Sequence, residues 1–297
     1  MHNRGGFQKR PLIGTLALAA LGGSVGPGQA SGAPAREVII AHEALIESGK
    51  YLEENIDRFV HRLEEVTGLP KGSLKGKGFA NPSDALAYVR NHRVPFAILP
   101  VHQFVEGRKE LGLTVLGRAV GLDGTPLQFI SVTRKPAPFT DLDAAMNPKV
   151  ATSEGNDPAW LALLTEGDLD PRRRPMTLVE VPSSAAALEA LVAKKADVAI
   201  LHPLTFRDMK KRIEDGGDLE WLVSSPKLPP SAFVAVGKFS TGAERKKIAA
   251  AVDKICKTTG AEACGRLGIM YIEAGRAETY DDVTSGYEQR GGAAAKK

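Results

Sequence analysis

The sequence predicts an α/β protein built as two similar lobes joined by two crossing strands, and three observations lead there. Apolar, strand-like runs alternate with helical periodicities through most of the chain. One phrase occurs twice in related form: SDALAYVRNHRVPFAIL (Ser83–Leu99) and SAAALEALVAKKADVAIL (Ser184–Leu201) each read helix, short turn, apolar strand. Two extended, proline-led phrases, PLQFISVTRK (Pro126–Lys135) and PSAFVAVGK (Pro230–Lys238), then interrupt the alternation in matching fashion. If each is a crossing strand, the segment between them forms a second lobe inserted into the first. The expected boundaries are 36–130 with 234–290 for lobe 1, and 131–233 for lobe 2.

The first thirty residues stand apart from this pattern. MHNRGGFQKR carries Arg4, Lys9 and Arg10, PLIGTLALAALGG follows, and GQA (Gly28–Ala30) supplies the small residues a signal peptidase reads. About a dozen apolar residues are too few to span a hydrocarbon core, so residues 1–30 read as a cleavable secretory signal peptide. A second cut could fall after APA (Ala33–Ala35). No cysteine precedes Cys256, so the expectation is a soluble periplasmic protein rather than a lipoprotein. Cleavage removes three of the 39 basic residues and none of the 35 acidic ones, which leaves a net charge of +1 instead of +4. That balance gives no footprint for nucleic acid or an anionic membrane.

The elements follow in order. REVIIAH opens as a strand. GKYLEENIDRFVHRLEEVTG is a helix, with Leu52, Ile56, Phe59, Leu63 and Val66 on one face and His61 off it. NPSDALAYVRNHR is a helix that starts on capping residues and carries His92 in its last turn, where a cation suits the dipole. VPFAILP is a buried strand, QFVEGRKELG a helix, LTVLGRAV a strand. In the second half KVATSEG is a strand leading into NDPAWLALLTEG, with Asp157 as cap and Pro158 at the first helical position. MTLVEVP, SSAAALEALVAKK, ADVAIL, PLTFRDMKKRIEDG and LEWLVSS continue strand, helix, strand, helix, strand. After Lys238 three helices return to lobe 1: TGAERKKIAAAVDKIC, AEACGRLG and AETYDDVTSGYEQR. Residues 291–297, GGAAAKK, form a frayed tail.

Cys256 and Cys264 are the only cysteines. In an oxidising compartment, at a helix–turn–helix junction, they read as a local disulfide. A redox or metal pair is the alternative, although the spacing matches neither C-x-x-C nor a zinc hairpin. Trp160 and Trp221 sit in apolar periodic contexts and read as core. Asp197 reads as a turn residue and Arg172–Arg174 as a solvated run.

The signal peptide, the first lobe, VATSEGNDPAWLALLTEGDLDP (Val150–Pro171), LEALVAKKADVAIL and LPPSAFVAVGK, in that order, resemble the periplasmic solute-binding proteins of type II architecture. More narrowly, the chain is similar to the phosphate/phosphonate branch of ABC-transporter substrate-binding proteins, grouped with sulfonate-binding and transferrin-like lobes. The resemblance runs from about Arg36 to Gln289. It implies two Rossmann-like lobes that close on a small oxyanion and deliver it to a membrane permease, with no cofactor and as a monomer. In that branch a Ser/Thr-rich turn before a helix grips the oxyanion. Thr152 and Ser153 occupy the matching place here. Glu154 beside them departs from the pattern, because a carboxylate there repels a phosphonate unless it points away.

His42, His102 and His202 fall just beyond three apolar strands, whose carboxyl ends face the cleft in a hinged two-lobe fold. They are candidate ligand contacts, with Glu43 beside the first; local capping is the competing role for each. Ser183 and Ser184 open a helix after a strand, and Ser183 is either an N-cap or a pocket hydroxyl. Imidazole suits an oxyanion as donor or a metal as ligand. The second reading is therefore a zinc, copper or iron site made by the three histidines with Glu43 or Glu154, in a metal-binding or sensory receptor. An enzyme on the same fold is the third. No G-x-S-x-G and no nucleophile with an obvious base supports it, so no catalytic residue is assigned.

Overall fold

The computed structural model describes residues 35–41, 45, 51–122, 124, 126–136, 142, 145–210 and 219–292. The expected signal peptide, His42, Glu43 and residues 293–297 of the expected tail lie outside them. Among the described residues no helix is long and apolar enough to cross a membrane.

Strands β1 (Arg36–Ala41), β2 (Leu74–Phe79), β3 (Phe96–Leu99) and β4 (Leu113–Gly121) open the first sheet, and β10 (Ser231–Val236) and β11 (Ile269–Ala274) complete it. Between them β5 (Ile130–Arg134), β6 (Lys149–Thr152), β7 (Thr177–Glu180), β8 (Val198–Leu201) and β9 (Leu219–Ser224) form the second. The first sheet has the order β11-β4-β10-β3-β1-β2 and the second β7-β6-β8-β5-β9. Leaving out the edge strand β11, the two orders correspond place for place: β2-β1-β3-β10-β4 with β7-β6-β8-β5-β9. In each, the fourth strand is antiparallel to both neighbours and is the one that follows a crossing. The repeated phrase lands accordingly, with helix α2 (Pro82–Asn91) leading into β3 and helix α5 (Ser184–Val192) into β8.

The crossing phrases behave differently from expectation in one respect. Neither strand spans the gap; β5 and β10 each belong wholly to one sheet, and the described residues just before them, 126–129 and 225–230, make the crossings. There the two crossings pair. Leu127 and Leu228 form an antiparallel bridge, with Leu228 N–H donating to the Leu127 carbonyl at 2.8 Å. Ser225 N–H donates to the Phe129 carbonyl at 2.8 Å, and Phe129 N–H returns a bond to Ser225 Oγ at 2.9 Å.

Helix α1 (Leu52–Thr67) buries Ile56, Phe59 and Leu63 as its periodicity predicts. It lies directly on β2, a strand absent from the sequence-based expectation because LKGKGF has no apolar alternation. Close approach explains the composition: a Cβ at Gly76 would sit 2.0 Å from Ile56 Cγ2. Buried Glu64 closes the turn between them, accepting from Gly72 N–H at 2.9 Å and Leu74 N–H at 2.8 Å. The other correction to the strand order is β11, which pairs with β4 between the expected helices. Trp221 is 47% exposed on edge strand β9, not core; its ring meets Phe206 edge-on at 6.5 Å.

Helices α3 (Val101–Leu111), α4 (Pro158–Leu164) and α6 (Pro203–Lys210) follow β3, β6 and β8, and α7 (Gly242–Ala251), α8 (Gly260–Arg266) and α9 (Asp281–Gln289) close the chain. Helix α9 does more than return to lobe 1. Arg108 of α3 bonds Asp281 at 3.0 Å and Thr284 at 3.1 Å, while the Tyr287 hydroxyl donates to Asp157 in the second lobe. The Tyr280 hydroxyl, just ahead of α9, donates to the Pro230 carbonyl in the second crossing at 3.1 Å. One apolar cluster accordingly runs through both lobes, including Phe104, Trp160, Val198, Tyr280 and Tyr287.

Cys256 and Cys264 form a disulfide with Cα atoms 5.6 Å apart, both buried in the first-sheet core. Closing so short a loop is worth about 2.5 kcal/mol in the chain-entropy treatment. Replacing both cysteines by serine is expected to lower unfolding free energy by about 2–3 kcal/mol in urea titrations. An unchanged midpoint would contradict that.

Candidate functional site

A cavity of about 340 Å³ lies between the lobes. The parallel strands set its character, because their carboxyl ends deliver helix starts to one place. Residues in the first turns of four helices line it: Ser83 of α2, Gln103 of α3, Ser184 of α5 and Thr205 of α6. Helix starts carry partial positive charge and favour anions. Glu154 is the one charged residue among the described residues lining the cavity. The cavity therefore offers dipoles and neutral donors with no lysine or arginine among those described.

His102 and His202 both line this cavity. His202 Nδ1 accepts from Leu204 N–H at 3.3 Å and so caps α6, which places the proton of the neutral ring on Nε2. Its own backbone N–H donates to Ser184 Oγ at 3.3 Å. His102 is buried and stacked on Trp160, with centroids 4.6 Å apart and planes 3° from parallel. Gln103 Nε2 contacts His102 Nδ1 at 3.4 Å, leaving Nε2–H facing Asp157 Oδ2 at 3.5 Å.

Ser153 and Glu154 line the cavity, whereas Thr152 does not. Thr152 is buried and its Oγ1 accepts from Glu154 N–H at 3.0 Å, shaping the turn. The helix start behind that turn is engaged as well, because Asp157 accepts from Ala159 N–H at 2.8 Å. Ser153 Oγ is buried and finds no hydrogen-bond partner among the described residues. Glu154 Oε2 accepts from Trp160 Nε1 at 3.3 Å. Ser183 caps α5 through Ala186 N–H at 3.2 Å and lies off the cavity wall; its neighbour Ser184 supplies the hydroxyl there.

Asp157 caps α4 as its place in the sequence predicts, and it also joins the lobes. Burial raises its carboxyl, but hydrogen bonds from His102 and Tyr287 outweigh this and hold it well below the usual carboxylate range. His102, Glu106 and Asp157 place possible metal-ligand atoms within 4.8 Å of one another. Those atoms have protein partners already, since Arg90 bonds Glu106 at 3.1 Å and Asp157 takes Tyr287 and Ala159. The group is a lobe-to-lobe contact beside the cavity, distinct from the three-histidine set expected from sequence.

A family model described as "ABC transporter, phosphonate, periplasmic substrate-binding protein" matches residues 44–280. No curated protein matches in sequence. Among solved structures, a binding protein component of an ABC phosphonate transporter from Pseudomonas aeruginosa is 14% identical, with 87% of each chain covered and a TM-score of 0.63. PhnD1 from Prochlorococcus marinus, in complex with methylphosphonate, is 11% identical over 86% of this chain and 98% of that one, with a TM-score of 0.62. The periplasmic aliphatic sulphonate binding protein SsuA from Escherichia coli is 13% identical over 88% and 94%, with a TM-score of 0.53. At such identities the likeness is one of fold.

The lobe contact has a definite pH signature. A carboxylate held below its unfolded value stabilises fully above about pH 4 and loses that contribution as pH falls toward the folded value. Asp157→Asn keeps a good N-cap but removes the charge. The stability gap between wild type and Asp157→Asn, from urea titrations, is expected to stay flat from about pH 8 to 5 and to narrow on further acidification. A gap that widens in acid would contradict the assignment.

Proposed function

The chain belongs to the family of phosphonate periplasmic substrate-binding proteins of ABC transporters, and from that premise we propose that its cleft receives an alkylphosphonate or a related phosphorus oxyanion. As a member of that family it is an extracytoplasmic receptor that binds a small solute and serves a membrane transporter. One observation carries the ligand assignment: Ser153 lines a cavity together with four helix starts, and its buried hydroxyl has no partner among the described residues. Buried hydroxyls in native proteins are hydrogen-bonded, so an orphan one in a cleft marks where a ligand oxygen sits. Val101, Leu127 and Phe129 give the same cavity an apolar wall, which suits an organic substituent on the phosphorus.

On this reading Ser153, Ser184 and His202 donate to the oxyanion, and the remaining polarity comes from the helix starts. The two lobes, with boundaries at the paired crossings, move about them to enclose the solute. Export through a cleaved signal peptide, release without a lipid anchor, a monomeric state and the absence of catalysis complete the proposal. The metal reading has a compact donor set in His102, Glu106 and Asp157, and it predicts a different titration.

Calorimetry separates the two. Methylphosphonate is expected to bind with a Kd of about 1 μM or below. Ser153→Ala should weaken it about tenfold, the worth of one buried hydrogen bond. Flat traces with methylphosphonate, ethylphosphonate and phosphate would overturn the assignment. Zinc binding lost in His102→Ala, with those traces flat, would put the metal reading in its place.

A further inference from the structure

We propose that the solute carries a long, uncharged organic substituent on phosphorus, of about six carbons, and that an apolar half of the same cleft receives it. The inference rests on the cleft being an oxyanion site and adds to it the class of substituent the oxyanion bears. Methylphosphonate is far smaller than the cavity, whose volume of about 340 Å³ lies in the range that encloses drug-sized ligands.

The strand order divides the wall into two kinds. Strands β2, β3, β7 and β8 each lead into a helix, and the starts of those helices bring Ser83, Gln103, Ser184 and Thr205 to the cavity. Strands β4, β10 and β11 deliver no helix start there. The first crossing follows β4, the second precedes β10, and β11 runs antiparallel beside β4. Ser231 pairs with Ala119 and Ile269 with Gly121, so the end of β4 lies together with the starts of β10 and β11. From these strand ends and the crossings the wall receives Ala119, Leu122, Leu127, Phe129, Pro230 and Gly268. Among the described lining residues of this stretch, Ser231 alone has a polar side chain. Glu154 belongs to the turn after β6, with Ser153, and not to this stretch.

The backbone here is engaged as well. Phe129 N–H donates to Ser225 Oγ at 2.9 Å, and Leu228 N–H to the Leu127 carbonyl at 2.8 Å. A helix start offers free N–H groups to a ligand; a crossing whose amides are already bonded offers its side chains. An ammonium or second anion drawn in against these side chains would be desolvated without a partner. A methylene withdrawn from water there gains about fourfold in affinity. The same cleft thus holds charge at the helix starts and hydrocarbon at the strand ends.

Calorimetry at one fixed pH with methyl-, propyl-, hexyl- and 2-aminoethylphosphonate tests this. Affinity is expected to rise from methyl to hexyl by at least about 100-fold, somewhat less than the full fourfold for every methylene. Propylphosphonate and 2-aminoethylphosphonate match in length and differ in the terminal charge, and the propyl compound is expected to bind at least about tenfold tighter. Leu122 is 58% exposed, so its substitution does not threaten the core. Leu122→Asn is expected to reduce the hexyl-to-methyl affinity ratio by at least about threefold. The proposal is overturned if hexylphosphonate binds no tighter than methylphosphonate, if 2-aminoethylphosphonate binds as tightly as propylphosphonate or more so, or if Leu122→Asn leaves the ratio unchanged. Flat traces with all four compounds remove the oxyanion reading and this inference together. Binding of methylphosphonate without any gain along the series removes the inference alone.

Discussion

Everything at the site depends on two crossing segments that hydrogen-bond to each other. Leu127 and Leu228 pair across the gap, and Ser225, buried between the lobes, bonds Phe129 through both backbone and hydroxyl. The two short connections are held side by side. They also force the carboxyl ends of both parallel strand sets toward the same space, because each crossing leads at once into the antiparallel strand in fourth place of its sheet. Tyr280 secures the second crossing from outside, and burial pushes its phenol above the ordinary range, so it stays a neutral donor to Pro230.

From that constraint the electrostatics follow. Strand ends deliver helix starts, and helix starts supply positive potential without side-chain cations. Four helix starts line the cavity, while its one charged residue among those described, Glu154, is negative. The acidic group that does the structural work is a different one. Asp157 lies on the wall of a neighbouring cavity, where it ties α4 to His102 and to the C-terminal helix. Two carboxylates three residues apart are thereby set apart, one residue lining the cavity and the other joining the lobes.

The sequence carried the architecture well and the side-chain detail less so. Alternation and the repeated phrase place α2–β3 and α5–β8 in equivalent positions, because apolar periodicity reports burial directly. Strand β2 is not legible in the sequence for a physical reason. Its glycines answer to Ile56 on α1, a tertiary contact that leaves no local apolar signal. The histidines were legible as strand-end residues, and His102 and His202 do line one cavity. That Ser184 faces the cavity while Ser183 caps turns on a single residue of helical phase, which spacing alone does not resolve. Tyr287 meets Asp157 across 130 residues of sequence, a pairing that only the folded C-terminal helix creates.

The most direct test of the account is a crystal structure of the protein grown with methylphosphonate. The account predicts the phosphonate oxygens within hydrogen-bond distance of the Ser153 and Ser184 hydroxyls, with the methyl group toward Leu127 and Phe129. A phosphonate seated elsewhere on the protein, with the cavity between the lobes left to solvent, would contradict it.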